Sequence, residues 1–251
     1  IATSTTGLNH IDMEYAEKKK IAVISLRGHT EFLEKIPSTA EETIGLIFAL
    51  LRNFPWAFDD VKSGRWLPNN WVGHQVFGKT LGILGFGRLG KIVAKYARGL
   101  GMKVIAHDPY VAPETFKNSG VTQVGFDAVF QESDIVSIHV LLQDNTLELV
   151  KEKHLRLMKP AAFLINTARA ELMERGLLEK ALKNKWIAGA AVDVLWNEKD
   201  DASHMKNNPL VDYAKEHKNL IIVPHIGGTT REAKEITQDY IAELTKKHFV
   251  K

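Results

Sequence analysis

The sequence predicts an α/β fold: a doubly wound parallel sheet with helices on both faces, joined to a second, incomplete unit. Three observations carry this expectation. From Thr80 onward, short runs that are apolar throughout alternate with segments of helical period. Strands buried on both faces read that way, because neither side of the sheet meets water. The run Gly82-Ile83-Leu84-Gly85-Phe86-Gly87-Arg88-Leu89-Gly90 passes from an apolar strand through a glycine turn into a helix. Finally, residues 1–35 precede the first long helix, and fewer than roughly 40 residues rarely hold a core alone.

Taken in order, Ile1 to Ser4 is expected as a short strand that ends in the turn Thr5-Thr6-Gly7. Asp12 to Lys19 is expected as a helix, with the Asp12 carboxylate capping the free N–H groups of its first turn. Ile21 to Leu26 is an apolar, β-like run. Pro37-Ser38-Thr39-Ala40-Glu41-Glu42 reads as a helix start, with a Ser or Thr cap and acids in the first turn. That helix continues through Ile44, Ile47, Phe48 and Leu51, which share one face, and ends near Asn53-Phe54-Pro55. Residues 54–76 carry Trp56, Trp66 and Trp71 among Gly and Pro. They read either as a loop pinned by buried aromatics or as an arm packing on a second subunit. Strands are expected at Thr80–Leu84, Lys103–His107, Ile135–His139, Ala162–Asn166, Ala188–Val192 and Leu220–Val223, and helices at Leu89–Arg98, Lys151–Leu157 and Glu174–Lys183. The last helix, Arg231 to about Phe249, is long and amphipathic, and its aliphatic stripe is expected to be core.

Composition narrows the classes of function. With 251 residues, 45% hydrophobic and 25% charged, the chain has the make-up of an ordinary globular protein. A net charge of +3, from 33 basic and 30 acidic residues, is too small to argue for nucleic acid. Lys18-Lys19-Lys20 reads as a solvated helix end. Without cysteine there is no disulfide framework, thiolate nucleophile or Cys-based metal site. No histidine pair has the spacing of a metalloprotease helix, and no metal is expected. No apolar stretch approaches the ~18 residues that suggest a membrane span, and no signal peptide is evident. The expectation is therefore a protein of the cytoplasm with no membrane partner. Ile1-Ala2-Thr3-Ser4 begins as though inside a strand, which leads to the expectation that an N-terminal part is absent from this chain.

Chemistry-bearing residues fall at the strand ends. Gly85 permits a tight turn, Gly87 permits a pyrophosphate to approach the backbone, and Gly90 lets the helix sit close to the strand. The helix N-terminus offers N–H groups and partial positive charge to phosphate. Asp108 follows 18 residues after Gly90, at the end of the next strand, where it can accept from a ribose 2′-hydroxyl and repel a 2′-phosphate. Pro109 and Tyr110 follow it rather than an arginine, which favours NAD over NADP. His139 ends one strand, and Asn166-Thr167-Ala168-Arg169 follows the next. Asp193 ends another, with Glu198 five residues on, and Pro224-His225-Ile226-Gly227-Gly228 follows the last. Arginine, acid and histidine at three successive strand ends form a set for anion binding and proton transfer. Each also has a plainer reading: His225 as a structural histidine, Arg169 in a surface ion pair, Glu198 as one member of a polar loop, and Asp193 as a strand-end acid capping a turn.

These motifs, with Ser137-Ile138-His139-Val140 and Ala191-Val192-Asp193-Val194, resemble over essentially the whole chain the NAD-dependent D-isomer-specific 2-hydroxyacid dehydrogenase family. That family includes D-lactate, D-3-phosphoglycerate and hydroxypyruvate/glyoxylate enzymes. The resemblance implies a Rossmann-type NAD-binding domain over residues 36–228. It also implies a flavodoxin-like substrate domain, present only as residues 1–35, to which the helix at 229–251 returns. The implied reaction passes a hydride between C2 of a small 2-hydroxy or 2-keto acid and NAD. Arg169 then binds the carboxylate and carbonyl, His225 handles the proton and Glu198 is its partner. Thr6 and Gly7 would offer backbone N–H groups to the substrate carboxylate. On the cofactor side the implied residues are Gly85, Gly87, Arg88, Leu89, Gly90, Asp108, Val140, Thr146, Thr167, Ala168, Arg169, Asp193, His225, Gly227 and Gly228, with Asp193 facing the nicotinamide carboxamide. Ala170 and Leu141-Leu142-Gln143 depart from the family pattern. A homodimer through residues 45–75 is expected. The alternative is an NAD(H)-sensing scaffold or corepressor-like protein without turnover. Formate dehydrogenase is disfavoured because that branch has glutamine where this chain has Glu198.

Overall fold

The structure is a computed structural model and describes residues 1–8, 10–198 and 202–250. It divides into two compact units, Ile1–Ser38 with Gly228–Lys251, and Thr39–Gly227.

The larger unit holds one seven-stranded sheet, all parallel. Its strands are β1 (Thr80–Leu84), β2 (Lys103–His107), β3 (Thr122–Gln123), β4 (Ile135–Ile138), β5 (Phe163–Asn166), β6 (Gly189–Val192) and β7 (Leu220–Ile222). Their order is β3-β2-β1-β4-β5-β6-β7. The winding therefore reverses between β1 and β4, and the carboxyl ends of adjacent strands there form the crevice in which such sheets hold ligands. Side chains alternate between two cores. Leu81, Ile83, Ile135 and Ile165 join one face with Leu46, Ile47 and Val93. Leu84, Val136, Ile138 and Leu164 join the other with Phe130, Leu155 and Leu177. Ile83 is fully buried, so its truncation to alanine is expected to cost about 2–5 kcal/mol.

Helices α3 (Ser38–Leu51), α5 (Arg88–Gly99) and α6 (Pro113–Asn118) bring residues to the first face, and α7 (Phe126–Glu132), α8 (Glu152–Leu157), α9 (Leu177–Lys183) and α10 (Pro209–Glu216) to the second. The expected strands and helices lie within a few residues of these bounds. The short elements β3, α6, α7 and α10 go beyond the sequence reading. The helix expected from Glu174 starts at Leu177, since Gly176 stands in the left-handed region at φ 76.

The stretch 54–76 corrects the loop expectation. Phe54–Lys62 is helix α4, with Pro55 in its first turn, where a missing N–H costs nothing. Its buried Asp60 accepts from Trp71 Nε1 at 3.0 Å and pairs with Arg65. Trp71 thus pins the segment, whereas Trp66 is 80% exposed.

In the smaller unit, α1 (Met13–Lys18) is capped by Asp12, which accepts from Tyr15 N at 2.8 Å. The core of this unit gathers Leu26 and Ile36 with Leu33 of α2 (Thr30–Leu33) and with Ala233 and Ile241 of α11 (Arg231–Phe249). Tyr240 stacks on Phe32 at 3.8 Å. The strands expected at Ile1–Ser4 and Ile21–Leu26 reduce to a single parallel bridge, Ala2 to Ile24, since an isolated pair of strands is marginal. Among the described residues no helix is long and apolar enough to cross a membrane.

Candidate active site

The turn after β1 is shaped by backbone contact. Gly85 has φ 91, and a Cβ there would meet the His139 carbonyl at 2.7 Å and Val140 N at 2.9 Å. A Cβ on Gly90 would come 2.2 Å from Gly85 O, so helix and turn close only around a bare glycine. Gly87 differs: nothing lies within 4 Å of a Cβ built there, and no side chain caps the start of α5. The N–H groups of the first turn of α5 suit a pyrophosphate. Asp108 closes the turn from β2, its oxygens accepting from Phe86 N and Tyr110 N at 2.9 Å each. Each oxygen keeps a further lone pair for a ribose hydroxyl. Thr146 accepts from Gln143 N and donates to Leu141 O, each at 2.7 Å, which folds the departing Leu141-Leu142-Gln143 stretch back on itself.

The segment after β5 is braced by buried Asn166. Its side chain accepts from Ala168 N at 3.0 Å and donates to Arg169 O at 2.9 Å. Thr167 hydrogen-bonds Thr43 of α3 at 2.9 Å. Arg169 is thereby presented half-buried, with Nη1 donating to Ala168 O at 2.6 Å, and Ala170 is buried behind it.

His225, after β7, holds φ 53, unusual for a residue with a side chain and a mark of functional turns. Its Nδ1 lies 2.6 Å from Glu198 Oε1. The hydrogen bond to Glu198 raises the His225 pKa against the opposing effects of burial and the Arg169 charge. Burial pushes Glu198 upward, but the hydrogen bond and charge of His225, the Leu195 N–H and the Arg169 charge outweigh it, so its carboxyl lies below the ordinary value. Arg169, Glu198 and His225 therefore feel one another across the carboxyl ends of β5, β6 and β7.

Asp193, 1% exposed, accepts from Ile226 N at 2.6 Å and Gly227 N at 2.9 Å. These are the contacts of the turn-capping alternative, and they tie the His225 turn to the end of β6. His139 bonds Ser137 through Nε2 at 2.8 Å, and burial pushes its pKa down to about 4, so it is neutral. Thr6 and Gly7 lie in the smaller unit, where Thr5 donates to Gly7 O at 2.9 Å. Gly228 begins the return of the chain to that unit.

Three residues at this site escape the sequence reading: Asn166 as a brace, Thr43, and Glu42. Glu42 reads as a first-turn acid like Glu41. The available signal is register, since Glu42 stands four residues before buried Leu46, and Glu41 four before exposed Gly45.

Residues 44–227 match the model of the D-isomer specific 2-hydroxyacid dehydrogenase NAD-binding domain. The chain is 38% identical to glyoxylate reductase of Thermococcus litoralis, covering 100% of this chain and 72% of that protein. It is 34% identical to D-3-phosphoglycerate dehydrogenase of Methanocaldococcus jannaschii, covering 98% of this chain but only 45% of the relative. Among solved structures it is similar to D-lactate dehydrogenase of Aquifex aeolicus in complex with NAD and lactic acid. That match has a TM-score of 0.82 and 28% identity, over 97% of this chain and 74% of the other.

Proposed function

We propose an activity from one premise: the chain belongs to the D-isomer specific 2-hydroxyacid dehydrogenase family and carries its NAD-binding domain. The activity is the interconversion of a small D-2-hydroxy acid and its 2-keto acid. The observation that supports it most is the His225–Glu198 pair at 2.6 Å with the charge of Arg169 acting on both.

NAD, when bound, supplies or takes up the hydride at C2 of the substrate. Arg169 offers a planar, permanently charged fork to the substrate carboxylate and draws charge onto the C2 oxygen. His225 gives that oxygen a proton in reduction and removes it in oxidation. Glu198 orients the ring and favours the imidazolium. The N–H groups at Gly87, Arg88, Leu89 and Gly90 hold the pyrophosphate, Asp108 the adenosine ribose, and Val140, Thr146, Thr167, Ala168, Asp193, Gly227 and Gly228 line the remainder. Residues 1–35 and 229–251 are read as substrate-domain sequence, with Thr6 and Gly7 as carboxylate donors. Unchanged substrate affinity in Gly7→Pro would remove that last role.

A homodimer accompanies this reading, and the compartment is taken as the cytoplasm. Phe54, Phe58, Val61, Trp66 and Val72 expose large apolar surfaces within one stretch of chain, as interfaces do. Light scattering on the full protein would return a dimer mass, and a strict monomer would end the proposal.

The experiment is NADH oxidation against a panel of 2-keto acids, with Arg169→Ala and His225→Ala in parallel. Turnover that collapses in both variants is expected. NADH binding without turnover on any acid would replace the enzyme reading with a binding-only role.

A further inference from the structure

Glu42 is a half-buried acid with its carboxyl end turned inward, and the reaction as described leaves it without a task. Both of its carboxyl oxygens are buried and accept from no donor among the described residues. Its neighbour is another carboxyl group, Asp193: both reach Gly227, Asp193 by accepting from its N–H at 2.9 Å and Glu42 by standing where its Cβ would be. Asp193 already accepts two backbone N–H bonds from the turn that carries His225. Two buried carboxylates cannot satisfy each other, because neither has a proton to give and their charges repel. One shared proton removes both penalties, and Asp193, with two N–H donors, is the better anion. A bare glycine lets the pair sit against the turn: a Cβ on Gly227 would come 2.5 Å from Glu42 Oε2 and 3.1 Å from Thr39 Oγ1.

We propose that Glu42 is a positioning residue: a neutral acid whose O–H donates to the Asp193 carboxylate and so locks the turn that aims His225 at the substrate. The proposal rests on the proton-transfer role given to His225 above. The charged groups acting on Glu42 are Asp193 after β6 and His225 after β7. Burial first, then the Asp193 charge, push the Glu42 pKa from 4.5 up to about 8, while the His225 charge opposes. Burial likewise raises Asp193, against its two backbone N–H donors. The lock therefore holds through neutral pH and opens in alkali.

The test begins with carboxyl-carbon NMR of the whole protein without cofactor, the Glu42 signal being identified by its loss in Glu42→Gln. Titration at about 8 is expected; titration in the ordinary glutamate range overturns the proposal. This readout needs no turnover, so it stands even if no keto acid is reduced. Kinetics then separate positioning from mere packing. The Gln amide can still donate to Asp193, so Glu42→Gln should retain at least about tenfold more kcat than Glu42→Ala, since small misplacements of a reacting group are costly. Equal loss in both overturns the role. In the oxidative direction, the fall in rate above pH 8 should vanish in Glu42→Gln, and its persistence counts equally against the proposal.

Discussion

The turn after β1 and the turn after β7 lie at the same edge of one sheet, yet they are held in opposite ways. The first is held mostly by main chain, with the Asp108 carboxylate gripping Phe86 N: Gly85 and Gly90 press against carbonyl oxygens, and Gly87 has room for a Cβ. The second is held by side chains: Asp193 grips Ile226 and Gly227, Glu42 lies behind Asp193, and Glu198 bonds His225. A main-chain N–H does not titrate, so a phosphate site built from it keeps its charge pattern at any working pH. A turn held by carboxyl groups and an imidazole depends on where each proton sits. On the proposed roles, the turn after β1 would be a largely fixed cradle and the turn after β7 a titrating one.

The contrast can be broken most sharply by His225→Ala. Loss of general acid–base chemistry should cost kcat about 10²–10⁴-fold, while NADH affinity, measured by fluorescence, moves far less. A comparable loss of NADH affinity would mean that the two turns are not independent. The reverse experiment is Gly90→Ala, whose methyl group would meet Gly85 O. An overpacked turn should lose about 1–3 kcal/mol in urea unfolding together with NADH affinity, and its pH profile should keep its shape.

Glu198→Gln sharpens the titrating side. Glu198 raises His225, so on the proposed role keto-acid reduction, drawing on the imidazolium, is expected to persist above the ordinary 6.5 and to fall as pH rises through the raised value. In the variant, that falling limb should move to lower pH, toward 6.5. The stability sign follows the same shifts. A raised His225 contributes fully below 6.5 and loses its contribution as pH rises through its folded value. A lowered Glu198 contributes fully above 4.5 and loses its contribution as pH falls through its folded value. The pair therefore stabilises most between these limits, and a parent protein whose unfolding midpoint shows no such window, or a Glu198→Gln variant that keeps it, would sever the link. The smallest effect is expected from Asp108→Asn. Removing one charge near a 2′-phosphate is worth about 1 kcal/mol, read as a narrowed ratio of kcat/KM for NADH over NADPH.

Much of the cradle was legible in sequence because it is local. Gly82 to Gly90 is one continuous stretch, and Gly90 answers to Gly85 within it, although Gly85 itself packs against His139 and Val140 after β4. The strands were equally legible, since burial on both faces makes Thr80–Leu84 or Ile135–Ile138 apolar throughout. Arg169, Glu198 and His225 were legible as residues at strand ends, but their chemistry came from motif order rather than period. Helix α4 was obscured by Trp and Pro residues that suit a loop equally well, and α6, α7 and α10 escaped the reading.

By itself, then, the sequence determined where strands β1, β2 and β4 to β7 and the glycine turn lie, because solvent exposure repeats along an element with that element's own period. Only the tertiary structure decided that the ends of β5, β6 and β7 stand side by side, and that α3 lays Glu42 against Asp193. A carboxyl group keeps or loses its proton according to the charges and solvent within a few ångströms, and residues far apart in the chain supply those only once the sheet is assembled.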